Sequence, residues 1–474
     1  MKTENKLFQN PIVWAFILSI IYWLYLALTS HMEISCDAVG YEFLGKTLVQ
    51  NGWTGYLLAG PTREPFYPLL VSISMRIAAL FSFQYQSVQT ILQFLILFIT
   101  QLLTLRILRL LGVNAWISAI TIFYLGVSPA IVNSALSLYS EVATYPLILT
   151  IILLMHQSWI SFLGPKSRII LFAMASGLTF VLITLTKGIF EVIAPVFVSL
   201  FFLSTMFTRN RRFISNALIF FVIVLSVFYA LITGYKLTNK ILNGNFVITN
   251  RGSVMLYGGI ARRVEPLTRE RFLVALSYIP GEGICEGIFG KEKCSFWSIA
   301  KSDEFGYKKV YELTARGLRP EEVDKEVAWA ALKKITQNPS QFFLLWFMEG
   351  LKIFFWESTQ IGFVSYPAGL TKLFCWPPIK NGLRLLMAIL TFLAFVYLVT
   401  FLLRERKNIF KPQQNIKVML FLIAIFIFIF TSAHALCNII IRYAFPIVPL
   451  YLIISAFVIQ KIVYCRFISD SRGI

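Results

Sequence analysis

Apolar runs of membrane-span length alternate with short polar turns over most of the chain. Residues 11–29, 88–110, 113–132, 142–160, 169–186, 189–207 and 213–233 follow one another in the first half, and 382–403, 417–433 and 443–460 close the second. Each approaches the ~20 residues an α-helix needs to cross a bilayer core. The runs are continuous rather than alternating, so they predict helices and not the strands of a membrane barrel. Two more apolar runs are shorter: 66–81 carries Arg76, and 342–356 carries Glu349 and Lys352.

The long polar stretch 234–340 is too charged for lipid and too long for a connector. Its end, RPEEVDKEVAWAALKKITQNP, predicts an amphipathic helix: Pro320 suits the first turn, acids come early, lysines late, and Asn338-Pro339 stops it. Val323, Val327, Leu332 and Ile335 would share its apolar face. The chain thus divides into an N-terminal transmembrane module, 1–233, with an outer loop at 30–68. An extracytoplasmic cap, 234–340, follows. A juxtamembrane helix and the remaining spans fill 341–474.

Composition agrees with this patterning. Of 474 residues, 57% are hydrophobic and 14% charged, far from a soluble domain. An all-α polytopic membrane protein of about ten to twelve transmembrane helices is expected. The first apolar run has no small-residue cleavage site after it, so no removable signal peptide is expected. The net charge is +20; Lys and Arg sit mostly in short loops, which fits the positive-inside rule rather than nucleic-acid binding. Cys285 and Cys294 lie in one polar loop. Pairing in an oxidising compartment and two free thiols are both open.

Charge bias also orients the chain. Lys2 and Lys6 favour a cytoplasmic N-terminus. If all apolar runs cross, TRNRR at 208–212 falls outside, and Glu141 lies opposite Asp37. If 66–81 and 342–356 skirt the interface instead, Arg106, Arg109, Lys166, Arg168, TRNRR, RERK and the basic tail all fall inside. Asp37, Arg63, Glu64, Glu141, Lys187, Glu191, His434 and Arg442 then share the outer side with the cap. Ten spans and two juxtamembrane helices are expected.

Chemistry concentrates in the loop HMEISCDAVGYEFLGKTLVQNGWTGYLLAGPTREPFYP. Asp37 and Tyr41 have i, i+4 spacing, so a helix there aligns them. A carboxylate at the mouth of a membrane cavity can take a proton from an acceptor; a solvated loop acid is the alternative. Arg63 could hold a phosphate or pair with Glu64. Glu141 stands nearly alone between apolar spans, where an acid usually faces a cavity or partner. Lys187 could bind phosphate or pair with Glu191. His434 reads as a ligand-facing or a packed residue, and Arg442-Tyr443 as lipid-phosphate binding or snorkelling. No metal-ligand cluster, P-loop or GxGxxG unit appears, and no soluble Rossmann domain for a nucleotide sugar.

In order and spacing, D-x-x-x-Y after the first span, R-E-P-x-Y-P-L-L, the second-loop acid in YSEVATYP and R-Y-x-x-P-x-x-P-L opening the last span resemble the glycosyltransferase C superfamily. The nearest branch is the aminoarabinose-transferase and protein O-mannosyltransferase type; NPSQFFLLWFMEGLKIFFW also looks like the stretch before its C-terminal spans. The resemblance implies an integral membrane enzyme using a polyprenyl-phosphate-linked sugar donor. The acceptor would be a lipid, glycan or protein, and the active site would face outward from a bacterial inner membrane. It maps the motif Asp on Asp37, as base, and the second-loop acid on Glu141. Tyr41, Arg63, Glu64, Lys187, His434, Arg442 and Tyr443 are candidates for substrate binding, with Arg63, Lys187 and Arg442 as phosphate cations. Many members carry two adjacent acids in the first loop, where this chain has Cys36-Asp37-Ala38. Lys187 stands where an Arg often follows Thr. No cofactor is certain, and a divalent metal stays open. A flippase for lipid-linked sugars and an O-antigen-type polymerase are the alternatives; a transporter should show internal repeats, and none is evident.

Overall fold

The computed structural model describes residues 10–406, 408–410, 415–437 and 439–470. Lys2, Lys6 and the last four residues of the basic tail lie outside them. The N-terminal module comprises α1 (Pro11–Thr29), α2 (Asp37–Leu58), α3 (Phe66–Phe81), α4 (Tyr85–Leu110), α5 (Ala115–Val127), α6 (Pro129–Leu136), α7 (Glu141–Ser161), α8 (Lys166–Thr184), α9 (Phe190–Thr205) and α10 (Arg211–Asn243). The cap holds α11 (Gly252–Arg263), α12 (Arg269–Tyr278), α13 (Glu282–Phe289), α14 (Lys291–Ser295), α15 (Ile299–Ala315) and α16 (Pro320–Gln337). Then follow α17 (Pro339–Leu351), α18 (Ala368–Cys375), α19 (Pro377–Glu405), α20 (Asn415–Leu436) and α21 (Val448–Asp470).

Among the described residues, nine helices are long and apolar enough to cross a membrane, or ten if the bent pair α5–α6 is one span. The protein is an all-α polytopic membrane protein. The run at 113–132 differs from expectation because α5 and α6 meet at a 47° bend. Pro129 opens α6 without an N–H to donate, and it holds Ser128 in an extended conformation (φ −59, ψ 120). The apolar run at 342–356 is also shorter as a helix: α17 ends at Leu351 and Lys352–Phe354 is a 3-10 turn. Helix α10 continues past residue 233 to Asn243, where Gly244 (φ 74) supplies the left-handed cap.

The bundle has two chemically distinct ends. At one, Asn114 N–H donates to Gln460 Oε1 at 2.6 Å, Asn216 Nδ2 donates to the Phe162 carbonyl at 2.7 Å, and the Trp159 and Phe213 rings lie 4.9 Å apart. The sequence there is basic: Arg106, Arg109, Lys166, Arg168, Arg209, Arg211 and Arg212 flank these helix ends. At the other end α1 runs into a two-residue strand, β1 (His31–Met32), antiparallel to β2 (Val364–Ser365). That short sheet ties the segment before Asp37 to the loop before α18.

The cap packs around two small cores. Tyr257, Ile260, Leu313, Val323, Val327 and Ala331 form one. Helix α16 thus buries the i, i+4, i+8 row 323–327–331, and Leu332 is exposed; it lies one residue, about 100°, beyond that row. The other core includes Val274, Ile279, Trp297, Leu345 and the disulfide Cys285–Cys294, whose Cα atoms are 6.0 Å apart.

Candidate functional site

A tight turn starts α2 and aims its first residue. Ala38 N–H donates to the Ser35 carbonyl at 3.0 Å, and Cys36 takes φ 49, ψ −120. That is the first central position of a type II′ turn, where glycine is the usual residue. Asp37 then projects at the helix start. Its Oδ1 accepts from Arg63 Nη2 at 2.7 Å, and its Oδ2 accepts from Arg442 Nη2. Arg63 comes from the loop before α3, and Arg442 from the 3-10 turn (Ile441–Ile447) that opens the last span. Burial alone would raise the Asp37 pKa; the guanidiniums of Arg442 and Arg63 outweigh it and hold the carboxyl well below the usual carboxylate range.

Glu141 is buried and opens α7, at the helix end that favours an acid. Its Oε1 lies 2.7 Å from Lys187 Nζ and 3.9 Å from Arg442 Nε. Arg442 therefore bridges both carboxylates, and three cations surround two acids. Glu64 also acts on Arg63, so with it three cations face three acids and the cluster is close to neutral. The Arg442 guanidinium also sits 4.8 Å over the Tyr139 ring. Glu64 Oε1 accepts from the Gly188 N–H at 2.7 Å. A Cβ at Gly188 would lie 3.1 Å from that oxygen, so glycine keeps the turn between α8 and α9 close to the Glu64 loop.

The remaining candidates line the same end. Tyr41 and Ser140 share a hydroxyl–hydroxyl hydrogen bond at 3.0 Å, and the Arg63 guanidinium lies 5.3 Å from the Tyr41 ring centroid. Lys187 Nζ is 5.8 Å from the Tyr443 ring. His434 packs 5.6 Å from Tyr443, and its Nδ1 meets the Phe430 carbonyl at 2.9 Å. All nine sequence candidates, Asp37, Tyr41, Arg63, Glu64, Glu141, Lys187, His434, Arg442 and Tyr443, thus gather at one end of the bundle.

Two pairings differ from the simpler alternatives. Arg63 bonds Asp37 instead of Glu64, which is held by a backbone amide. Lys187 bonds Glu141, while Glu191 pairs with Lys236 at 2.7 Å. The i, i+4 rule fails for Lys187 and Glu191 because α9 begins only at Phe190, leaving Lys187 in the preceding turn. Sequence reasoning missed Tyr139, Gly188 and Lys236. Tyr139 and Gly188 flank Glu141 and Lys187, which was the available signal; nothing local marks Lys236.

Among the described residues no three His, Cys, Asp or Glu side chains converge as metal ligands, and guanidinium and ammonium groups occupy both central carboxylates. A scan against protein-family models found no matching family, and a search of curated proteins found no significant match.

Proposed function

We propose that this protein is an integral membrane glycosyltransferase. It would move a sugar from a polyprenyl-phosphate donor to a lipid, glycan or protein acceptor on the extracytoplasmic side of a bacterial inner membrane. The observation that carries the reading is the convergence of Arg63, Lys187 and Arg442 on Asp37 and Glu141 at one end of an apolar bundle. Ionised groups gathered and partly buried at the end of an apolar bundle are costly without a polar substrate to serve. The side of the membrane is supported by the basic character of the opposite bundle end and by the cap disulfide, which belongs in an oxidising compartment.

The chemistry follows from charge flow. The acceptor O–H or N–H gives its proton to Asp37, the acceptor atom bonds to the anomeric carbon, and the bond from that carbon to the phosphate oxygen breaks. The electron pair leaves with the polyprenyl phosphate, which gains one negative charge. Arg63, Lys187 and Arg442 face that developing charge. Asp37 is a weak base while two arginines hold it. A donor phosphate competing for those arginines would release the carboxylate and return its pKa toward the ordinary range, so the donor would bind before the acceptor is activated.

The test is a membrane assay with a labelled polyprenyl-phosphate sugar and endogenous acceptors. Wild type should move the label covalently, and Asp37→Asn should lower transfer at least about a hundredfold while the folded protein accumulates. Retained transfer in Asp37→Asn would remove the base role. Translocation of the donor without transfer would replace the enzyme by a carrier.

A further inference from the structure

Away from the site, four ionisable side chains are buried where the cap meets the bundle. Arg262 and Arg263 end α11, Glu349 lies near the end of α17, and Lys352 follows it. Their side chains are 0%, 0%, 4% and 6% exposed. Glu349 lies 2.9 Å from Lys352, 3.7 Å from Arg262 and 3.9 Å from Arg263. Three cations against one acid are unstable in a buried place unless other negative charge completes them.

Backbone carbonyls and aromatic faces supply it. Arg263 donates to the carbonyls of Ala435 and Cys437 and reaches that of Leu436 at 3.4 Å. These belong to the end of α20 and the turn after it, where unpaired carbonyls and the negative end of the helix dipole coincide. Arg262 donates to the Ser298 carbonyl at 3.2 Å and lies 5.2 Å from the Trp297 ring; Lys352 lies 4.6 Å from the Tyr278 ring. Glu349 Oε1 accepts the Ile439 N–H at 2.8 Å. Ala435–Cys437 are thus held from the cap by Arg263, and Ile439 from α17 by Glu349.

Helix α11 reaches the Cys437 backbone because Gly259 lets the two touch, and Gly258 does the same for α15 within the cap. A Cβ at Gly259 would fall 2.0 Å from the Cys437 carbonyl oxygen, and one at Gly258 would fall 2.1 Å from the Ser302 carbonyl oxygen. Gln341 Nε2 locks the helix end by donating to the Arg263 and Glu265 carbonyls at 2.6 Å each. Arg442 follows Ile439 by three residues, so holding Ile439 bears on where Arg442 meets Asp37 and Glu141.

We propose that Arg263 and Glu349 are positioning residues for Arg442: the cap, through α11, sets the geometry of the cation that bridges both site carboxylates. The meaning of this for catalysis rests on the proposed function; the coupling itself does not.

The test reads geometry without activity. Arg442→Cys is crosslinked to the exposed native Cys36 by a short bismaleimide, with Cys375, Cys437 and Cys465 replaced. Gly259→Ala and Arg263→Gln should slow crosslinking about tenfold, and Arg263→Lys should restore part of the rate. Gly283→Ala, whose Cβ meets nothing within 4 Å, should leave it unchanged. A wild-type pattern of limited proteolysis across residues 252–337 certifies a folded cap in each variant; if Gly259→Ala loses it, Glu349→Gln takes its place. An unchanged rate in Arg263→Gln and Glu349→Gln with the cap folded overturns the proposal. Because no lipid or transfer is involved, a failed transfer assay leaves this result readable.

Discussion

At the residue scale, Asp37 combines two roles that can be separated by pH. Its folded pKa lies below the ordinary carboxylate value, so its contribution to stability is complete above that value. It is lost progressively as pH falls from that value through the folded pKa. Asp37→Asn should therefore lower the unfolding free energy equally from about pH 6 to 8, by about 1–3 kcal/mol, with the gap narrowing below about pH 4. Thermal melts of detergent-purified protein across pH check this; a gap that widens in acid would contradict it. Cys36 offers an independent check. It occupies a turn position that favours glycine, and Cys36→Gly should raise the melting free energy by up to about 1 kcal/mol. These positions were partly legible in the sequence, since ionisable groups at the ends of apolar runs are conspicuous. Their partners were not, because Asp37 and Arg442 are 405 residues apart and Glu141 and Lys187 46 apart, and no local spacing encodes such pairs.

At the element scale, hydrophobic length alone placed nearly every span, because burying a helix backbone in lipid demands continuous apolar sequence. Breaks within a run were harder to see. The Ser128-Pro129 bend leaves Asn133, Ser134 and Ser137 buried, whereas hydropathy showed an unbroken run to Val132 with a polar segment after it. Close crossings were also invisible. A Cβ at Gly126 on α5 would lie 2.1 Å from Ser19 Oγ on α1 and 2.5 Å from Gln101 Nε2 on α4, where the Trp23 indole N–H donates to the Gly126 carbonyl at 2.7 Å. Gly126→Ala should cost about 1–3 kcal/mol through overpacking. Gly234→Ala, in the interior of α10 with nothing within 4 Å of its Cβ, should instead stabilise by up to about 1 kcal/mol. Denaturation in one detergent compares the two directly; equal shifts would sink the packing argument.

At the scale of the whole molecule, the account needs the two short helices, α3 and α17, to leave the parity of the spans unchanged. The ion pairs joining Asp37, Glu141, Lys187 and Arg442 put those helix ends together, and the charge bias then assigns that end to the outer side. An impermeant maleimide applied to intact cells should label Cys36 and Cys375, both exposed, and should miss Arg209→Cys until the membrane is opened. Labelling of Cys36 and Arg209→Cys from the same side would break the topology. The cap was legible only as a polar region of the right length: its two cores and its grip on Ala435–Cys437 depend on contacts between distant segments. The central claim is that the cations now held by Asp37 and Glu141 serve a phosphate on a lipid chain. It is tested most directly by comparing the affinity of the purified protein for a polyprenyl phosphate and for the matching neutral polyprenol. The account predicts a preference of about a hundredfold for the phosphate, largely lost in Arg442→Gln; equal affinity for the two lipids, or a preference that survives Arg442→Gln, would contradict it.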